Sequence, residues 1–101
     1  MKIQYKKTAL TDIQEAEWYV SEKLHNPSAA KKQTQKIVQA VSQLAQTPYM
    51  GTPLNSRYDV DTDMRYLVVS KHLIFYRVIG KSKVVVERVL NGRQDYMSVL
   101  F

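Results

Sequence analysis

His72-Leu73-Ile74-Phe75-Tyr76-Arg77-Val78, followed by Lys83-Val84-Val85-Val86-Glu87-Arg88-Val89-Leu90, is the stretch that decides the fold. Both runs are β-branched and aromatic, and Ile79-Gly80-Lys81-Ser82 between them is hairpin-sized. A third run of the same kind, Arg65-Tyr66-Leu67-Val68-Val69, lies just upstream across Ser70-Lys71. Residues 65–90 therefore read as an antiparallel meander. An even-numbered loop in the second hairpin sets residue 77 against 84 and residue 73 against 88. Leu73, Phe75, Arg77, Val84, Val86 and Arg88 then share one face, and Ile74, Tyr76, Val78, Val85 and Val89 the other. The second set reads as a helix-covered core, which leaves Arg77 and Arg88 on an open face. Glu87 falls on the core side, so it needs an edge position, a basic partner or a different register.

Working outward, residues 48–63 carry Pro48, Gly51, Pro53 and Asn55 and read as a loop. Its alternating Asp59, Asp61 and Asp63 lack the glycine and closing glutamate of a calcium loop, so no metal is expected. Before it, Asn26-Pro27 has the form of an N-cap followed by proline at the first helical position. Ala30, Thr34, Ile37, Val41 and Leu44 continue as one stripe of a long helix. Ile13, Ala16, Val20 and Leu24 mark a shorter one over about 9–24, with Thr8 or Thr11 as its cap. Trp18 and Tyr19 widen its apolar side and are expected to pack against the second helix. The connection is very short, so the two helices form an antiparallel hairpin. Ile3 and Tyr5 alternate with polar neighbours as a short strand. The expected fold is α+β, β-α-α-β-β-β, an antiparallel sheet with an αα-hairpin on one face, in a single domain over 1–101.

Composition removes several chemistries. The 101 residues include no cysteine, hence no disulfide, thiolate nucleophile or thiolate-bound metal. His25 and His72 fit no ligand motif, and three glycines cannot build a phosphate loop. No cofactor is expected. No apolar run reaches membrane-spanning length, and Met1-Lys2-Ile3-Gln4-Tyr5-Lys6-Lys7 is not a signal peptide, so the expected compartment is the cytoplasm. The net charge is +6, and most of the excess lies after residue 64. There Arg65, Lys71, Arg77, Lys81, Lys83, Arg88 and Arg93 face only Glu87 and Asp95, interleaved with Tyr66, Tyr76 and Tyr96. Such a surface suits a polyanion or an acidic protein partner.

The strand Leu73-Ile74-Phe75-Tyr76-Arg77-Val78 and the ending Arg88-Val89-Leu90-Asn91-Gly92-Arg93-Gln94-Asp95-Tyr96 resemble the toxins of bacterial type II toxin–antitoxin modules, the RelE/ParE superfamily. Asn26-Pro27-Ser28-Ala29-Ala30 and Pro48-x-x-Gly51 extend the resemblance over nearly the whole chain. It implies a toxin that arrests growth and is silenced by an antitoxin whose C-terminal segment folds around it. RelE-like members cleave messenger RNA on the ribosome, and ParE-like members poison DNA gyrase. RelE-like nucleases usually carry arginine where this chain has Leu73, and the His-Tyr end of some relatives is replaced by Ser98-Val99-Leu100-Phe101. Arg93 matches a second family arginine. A nuclease would use Arg77, Arg88 and Arg93 to neutralise the phosphorane, without metal. Leu73 and the Gly92–Met97 ending resemble the ParE branch more closely. Arg65, Arg77, Arg88 and Arg93 are the candidate anchors for antitoxin carboxylates, because a guanidinium holds them bidentately. Trp18 and Tyr19 would cradle its apolar face, with Tyr96 either in contact or simply packed. A third class, a basic nucleic-acid-binding module without toxicity, would leave growth unaffected on expression.

Overall fold

The computed structural model describes residues 1–101. Strand β1 (Lys2–Tyr5) leads into helix α1 (Lys7–Trp18), which widens into a π-helical turn (Tyr19–Lys23), and helix α2 (Pro27–Gln43) follows. A two-residue strand β2 (Thr52–Pro53) and a 3-10 turn (Leu54–Ser56) precede the meander β3 (Arg65–Val69), β4 (His72–Ile79) and β5 (Lys83–Asn91). A short helix α3 (Tyr96–Leu100) ends the chain. The sheet order is β1-β5-β4-β3-β2. No helix is long and apolar enough to cross a membrane.

The α+β plan with a helical hairpin on one sheet face is the one expected from sequence. Asn26 caps α2, its Oδ1 accepting the Ala29 N–H at 3.2 Å, with Pro27 at the first helical position. Ala30, Ile37, Val41 and Leu44 are buried as the stripe requires. The caps expected for α1 are not used: Lys6 is its N-cap residue, and the Thr11 hydroxyl bonds back to the Lys7 carbonyl at 3.1 Å. The sheet is mixed rather than wholly antiparallel, because β1 runs parallel to β5 with Lys2 opposite Lys83 and Tyr5 opposite Val86. A strand that feeds a helix leaves the sheet at its end instead of turning back, so packing alone chooses its neighbour.

The second hairpin corrects the expected register. Its connection is the three residues Gly80-Lys81-Ser82, with Ile79 opposite Lys83 and Gly80 at φ 55°. One residue fewer in the loop shifts the pairing by one and turns Val84 and Val86 to the helix-covered face. A bulge then follows: Tyr76 pairs with Val86 but Phe75 with Arg88, leaving Glu87 as the extra residue. Val89 is thereby restored to the face of Val86 and Val84. Glu87 sits where β1 has ended, and Lys6 Nζ meets its Oε1 at 2.8 Å. Helix α1 covers the strand edge from there on. The Thr8 hydroxyl donates to the Glu87 carbonyl (3.3 Å), and Asp12 Oδ2 accepts the Val89 N–H (3.0 Å).

The face expected to be open is largely covered. The helix-covered core contains Ala9, Ile13, Ile37, Val41, Leu44, Leu67, Ile74, Tyr76, Val84, Val86 and Val89. On the other face Leu54, Met64, Tyr66, Phe75 and Leu90 form a second buried cluster, flanked by Tyr58, Val60, Tyr96, Met97 and Leu100. The segment after β2 and helix α3 supply its roof. The loop's polar punctuation hides this role, since its apolar residues Leu54, Tyr58, Val60 and Met64 follow neither helical nor strand spacing.

Tyr76 joins the two ends of this architecture. Its ring is fully buried, and its hydroxyl donates to the Pro48 carbonyl (2.8 Å) and accepts the Gly51 N–H (2.9 Å). A Cβ at Gly51 would lie 2.5 Å from that hydroxyl and 2.8 Å from the Tyr66 carbonyl oxygen, so only glycine fits.

Candidate functional site

The arginines singled out from sequence do not converge on one point. Arg65 stands at the start of β3, where its Nη1 donates to the carbonyls of Tyr49 (3.1 Å) and Gly51 (2.8 Å). Its guanidinium also lies 5.0 Å from the Tyr49 ring centroid. These contacts latch the loop after α2 to the sheet. Arg77, toward the other end of β4 from His72, pairs with Asp63 through Nε–Oδ1 at 2.9 Å. That guanidinium holds the Asp63 carboxyl below its usual range. The pair is exposed on both sides.

Arg88 is opposite Phe75 in register, yet its side chain reaches Asp12 on α1. Nε–Oδ2 is 2.7 Å and Nη2–Oδ1 is 2.9 Å, a two-pronged bond to a nearly buried carboxylate. Donating these hydrogen bonds to Asp12 raises the guanidinium pKa further, so Arg88 stays charged at any working pH. Arg93 follows β5, where its backbone N–H is held by Asn91 Oδ1 at 2.9 Å. Its side chain has no ion-pair partner. Of the three arginines a nuclease would need, only Arg88 and Arg93 meet, and Arg77 lies at the far end of the strand.

The meeting place is a cleft of about 750 Å³ between α1 with its π-helical turn and the adjoining ends of β4 and β5. Tyr19, Arg88 and Arg93 line it with Lys71 of the basic surplus, together with Asp12, His72, Asn91 and Gln94, which sequence reading did not single out as site residues. His72 is buried, its Nδ1 lacks a hydrogen-bond partner, and burial, aided by nearby Lys71, lowers its pKa. No spacing signal could have found these residues, because they come from α1, the start of β4 and the exit of β5.

Trp18 and Tyr19 are not buried against α2 as expected from sequence. They are 55% and 54% exposed, beside Leu24 at 56%. The π-helical turn accounts for this: it widens the helix, with the Leu24 N–H reaching the Tyr19 carbonyl at 3.2 Å. Lys23 Nζ lies 5.9 Å from the Trp18 ring centroid. Tyr96, by contrast, packs. Its ring is 5.5 Å from that of Phe75 and meets Tyr58 edge-on, and its hydroxyl is hydrogen-bonded to that of Tyr58. That bond, with burial, pushes the Tyr96 hydroxyl up to about 12, out of the range of a proton-transfer group near neutrality.

The surface thus offers three exposed apolar side chains on the helical hairpin and a cationic cleft beside them. It lacks a cage of cations around one phosphate. No curated protein sequence matches the chain. Among solved structures it is similar to one titled "Chromosomal ParDE TA system from P. aeruginosa", with a TM-score of 0.74 and 24% identity over 90% of this chain and 95% of that one. Residues 3–96 match the family described as "ParE toxin of type II toxin-antitoxin system, parDE". That span runs from β1 to the first residue of α3 and takes in both buried clusters, the bulged hairpin and the cleft, so this chain belongs to the ParE toxin family of type II toxin–antitoxin systems.

Proposed function

We propose that this toxin arrests growth by binding a protein target, DNA gyrase, rather than by cutting messenger RNA, and that an antitoxin segment silences it. One observation carries the choice of target: the arginines are separated, and Arg65, Arg77 and Arg88 are spent on the protein's own acids and carbonyls. In-line cleavage of RNA needs several cationic donors aimed at one phosphate, with a group to move a proton. Here Arg77 is bound to Asp63 and Arg88 to Asp12, while the Tyr96 hydroxyl is held by Tyr58. Family membership and Leu73, in place of the arginine of RelE-like nucleases, support the same reading.

The antitoxin segment is acidic and amphipathic, complementary to a +6 chain, and orders on binding. Its apolar side rests on Trp18 and Tyr19, and its carboxylates meet Arg93, whose side chain has no acid of its own, unlike Arg77 and Arg88. Arg65 and Tyr96 act from within, holding the loop and the second cluster in place.

Parallel assays of gyrase supercoiling and ribosome-dependent messenger cleavage test the target. The expected result is inhibited supercoiling and intact messenger, with DNA damage response and filamentation in induced cells. Normal supercoiling at saturating protein, accompanied by cleavage that Arg93→Ala abolishes, overturns the gyrase reading. Expression without growth arrest overturns toxicity itself.

A further inference from the structure

We propose that the cleft between the π-helical turn and the adjoining ends of β4 and β5 binds a carboxylate carried on an apolar stem. The cleft includes Tyr19 and Arg93 of the surface proposed above for the antitoxin, so the inference rests on that part of the reading and not on the choice of gyrase as target. At about 750 Å³ the cleft is within the size range of small-ligand sites. One wall is apolar, with Tyr19, Val20 and Leu24 from the helical turn, and Tyr19 and Leu24 remain more than half exposed. The opposite end is cationic.

The charged groups around it are Asp12 and Glu15 from α1, Lys71 before β4, Arg88 on β5 and Arg93 after it. Asp12 is fully engaged by Arg88 and the Val89 N–H. Lys71 and Arg93 have no ion-pair partner. Three cations against two acids leave room for one negative charge, which favours a carboxylate over a phosphate dianion.

His72 supplies the second, independent observation. It is a wall residue only 6% exposed, and its Nδ1 is buried without a hydrogen-bond partner. A buried polar atom left unsatisfied is costly and calls for an explanation. Burial, aided by Lys71, lowers its pKa, so near pH 7 the ring lines the cleft as a neutral group and the positive end is that of Lys71, Arg88 and Arg93.

Nuclear magnetic resonance of the full chain tests the site, with the exposed His25 as internal control. The probe is 4-phenylbutyrate, compared with the uncharged 4-phenylbutanamide and with inorganic phosphate. Saturable shifts of the His72 ring signals are expected with phenylbutyrate, together with a rise in the His72 pKa when it is bound, and His25 stays still. Binding should weaken at least tenfold for the amide, and also in the Lys71→Gln/Arg93→Gln double variant, whose changes are at exposed positions and leave the fold intact. A ligand arm distinguishes the source of the carboxylate. A short peptide of alternating Leu and Glu that saturates the same signals at a hundredfold lower concentration supports the site and assigns it to a polypeptide side chain. Equal or weaker peptide binding supports the site and assigns it to a free organic acid. Absence of saturable shifts at His72, equal binding of the amide, or phosphate binding as tight as phenylbutyrate overturns the proposal.

Discussion

The two faces of the sheet are buried by different means. One lies under α1 and α2 and holds eleven buried residues, drawn from five elements and the residue after α2. The other holds five, closed by the segment between β2 and β3 and by a helix of only five residues. Regular helices cover a sheet through a repeating stripe, each turn adding a contact that supports the next. The second roof is made of single residues at irregular spacing, so each contact stands more nearly alone. Regions of this kind open locally at lower free energy than the core they adjoin. The first face should therefore set global stability, and the second should open separately.

The sharpest way to break that contrast is to cut one residue from each side. Ile37→Ala removes a fully buried side chain from under the hairpin and is expected to cost about 2–5 kcal/mol, read as a lower urea midpoint. All probes of folding should shift together. Tyr96→Ala removes the ring over Phe75 and should cost about 1–3 kcal/mol. Here amide exchange should quicken in β3 and α3 while the β1–β5 pair stays protected. Equal loss of protection in both places would erase the distinction between the faces.

Acid sharpens the comparison from the cleft side. His72 has its pKa lowered in the folded state, chiefly by burial, so folding favours the neutral ring. The unfolded chain then binds more protons, and stability rises with pH. The contribution of His72 is complete above the unfolded pKa of about 6.5 and is lost as pH falls toward the folded value, with a slope of at most about 1.4 kcal/mol per pH unit. His72→Phe should flatten that part of a urea-midpoint profile; an unchanged slope would assign it to other groups. The smallest effect belongs to the exposed pair of Arg77 and Asp63. Arg77→Gln should change stability by at most about 1 kcal/mol, less in high salt, as measured by thermal unfolding. A larger loss would mean that this pair helps hold the second roof.

What could be read from the chain divides along the same line. Asn26-Pro27 and the stripe Ala30, Ile37, Val41 and Leu44 announce α2 because capping and helical spacing are local. The strand identities of 65–90 are equally local. The face assignments beyond the turn are not, because one residue in the loop and one in a bulge each move every later side chain across the sheet. Arg88 shows the consequence. The two shifts cancel at its position and leave it opposite Phe75, on the face that alternation expects, yet its guanidinium is bound to Asp12, on a helix 76 residues earlier.

By itself the sequence determined the class of fold, the order of its main elements, the uneven positive charge and the resemblance to a toxin family, because each depends on neighbours in the chain or on the identity of short strings. Only the tertiary structure decided that β1 lies parallel to β5, that a loop and a terminal helix close the second face, and that His72, Arg88 and Arg93 share a cleft while Arg77 lies apart. These are contacts between residues far apart in sequence. They follow from which apolar surfaces remain to be covered once the hairpins and helices have formed, and no local pattern encodes that remainder.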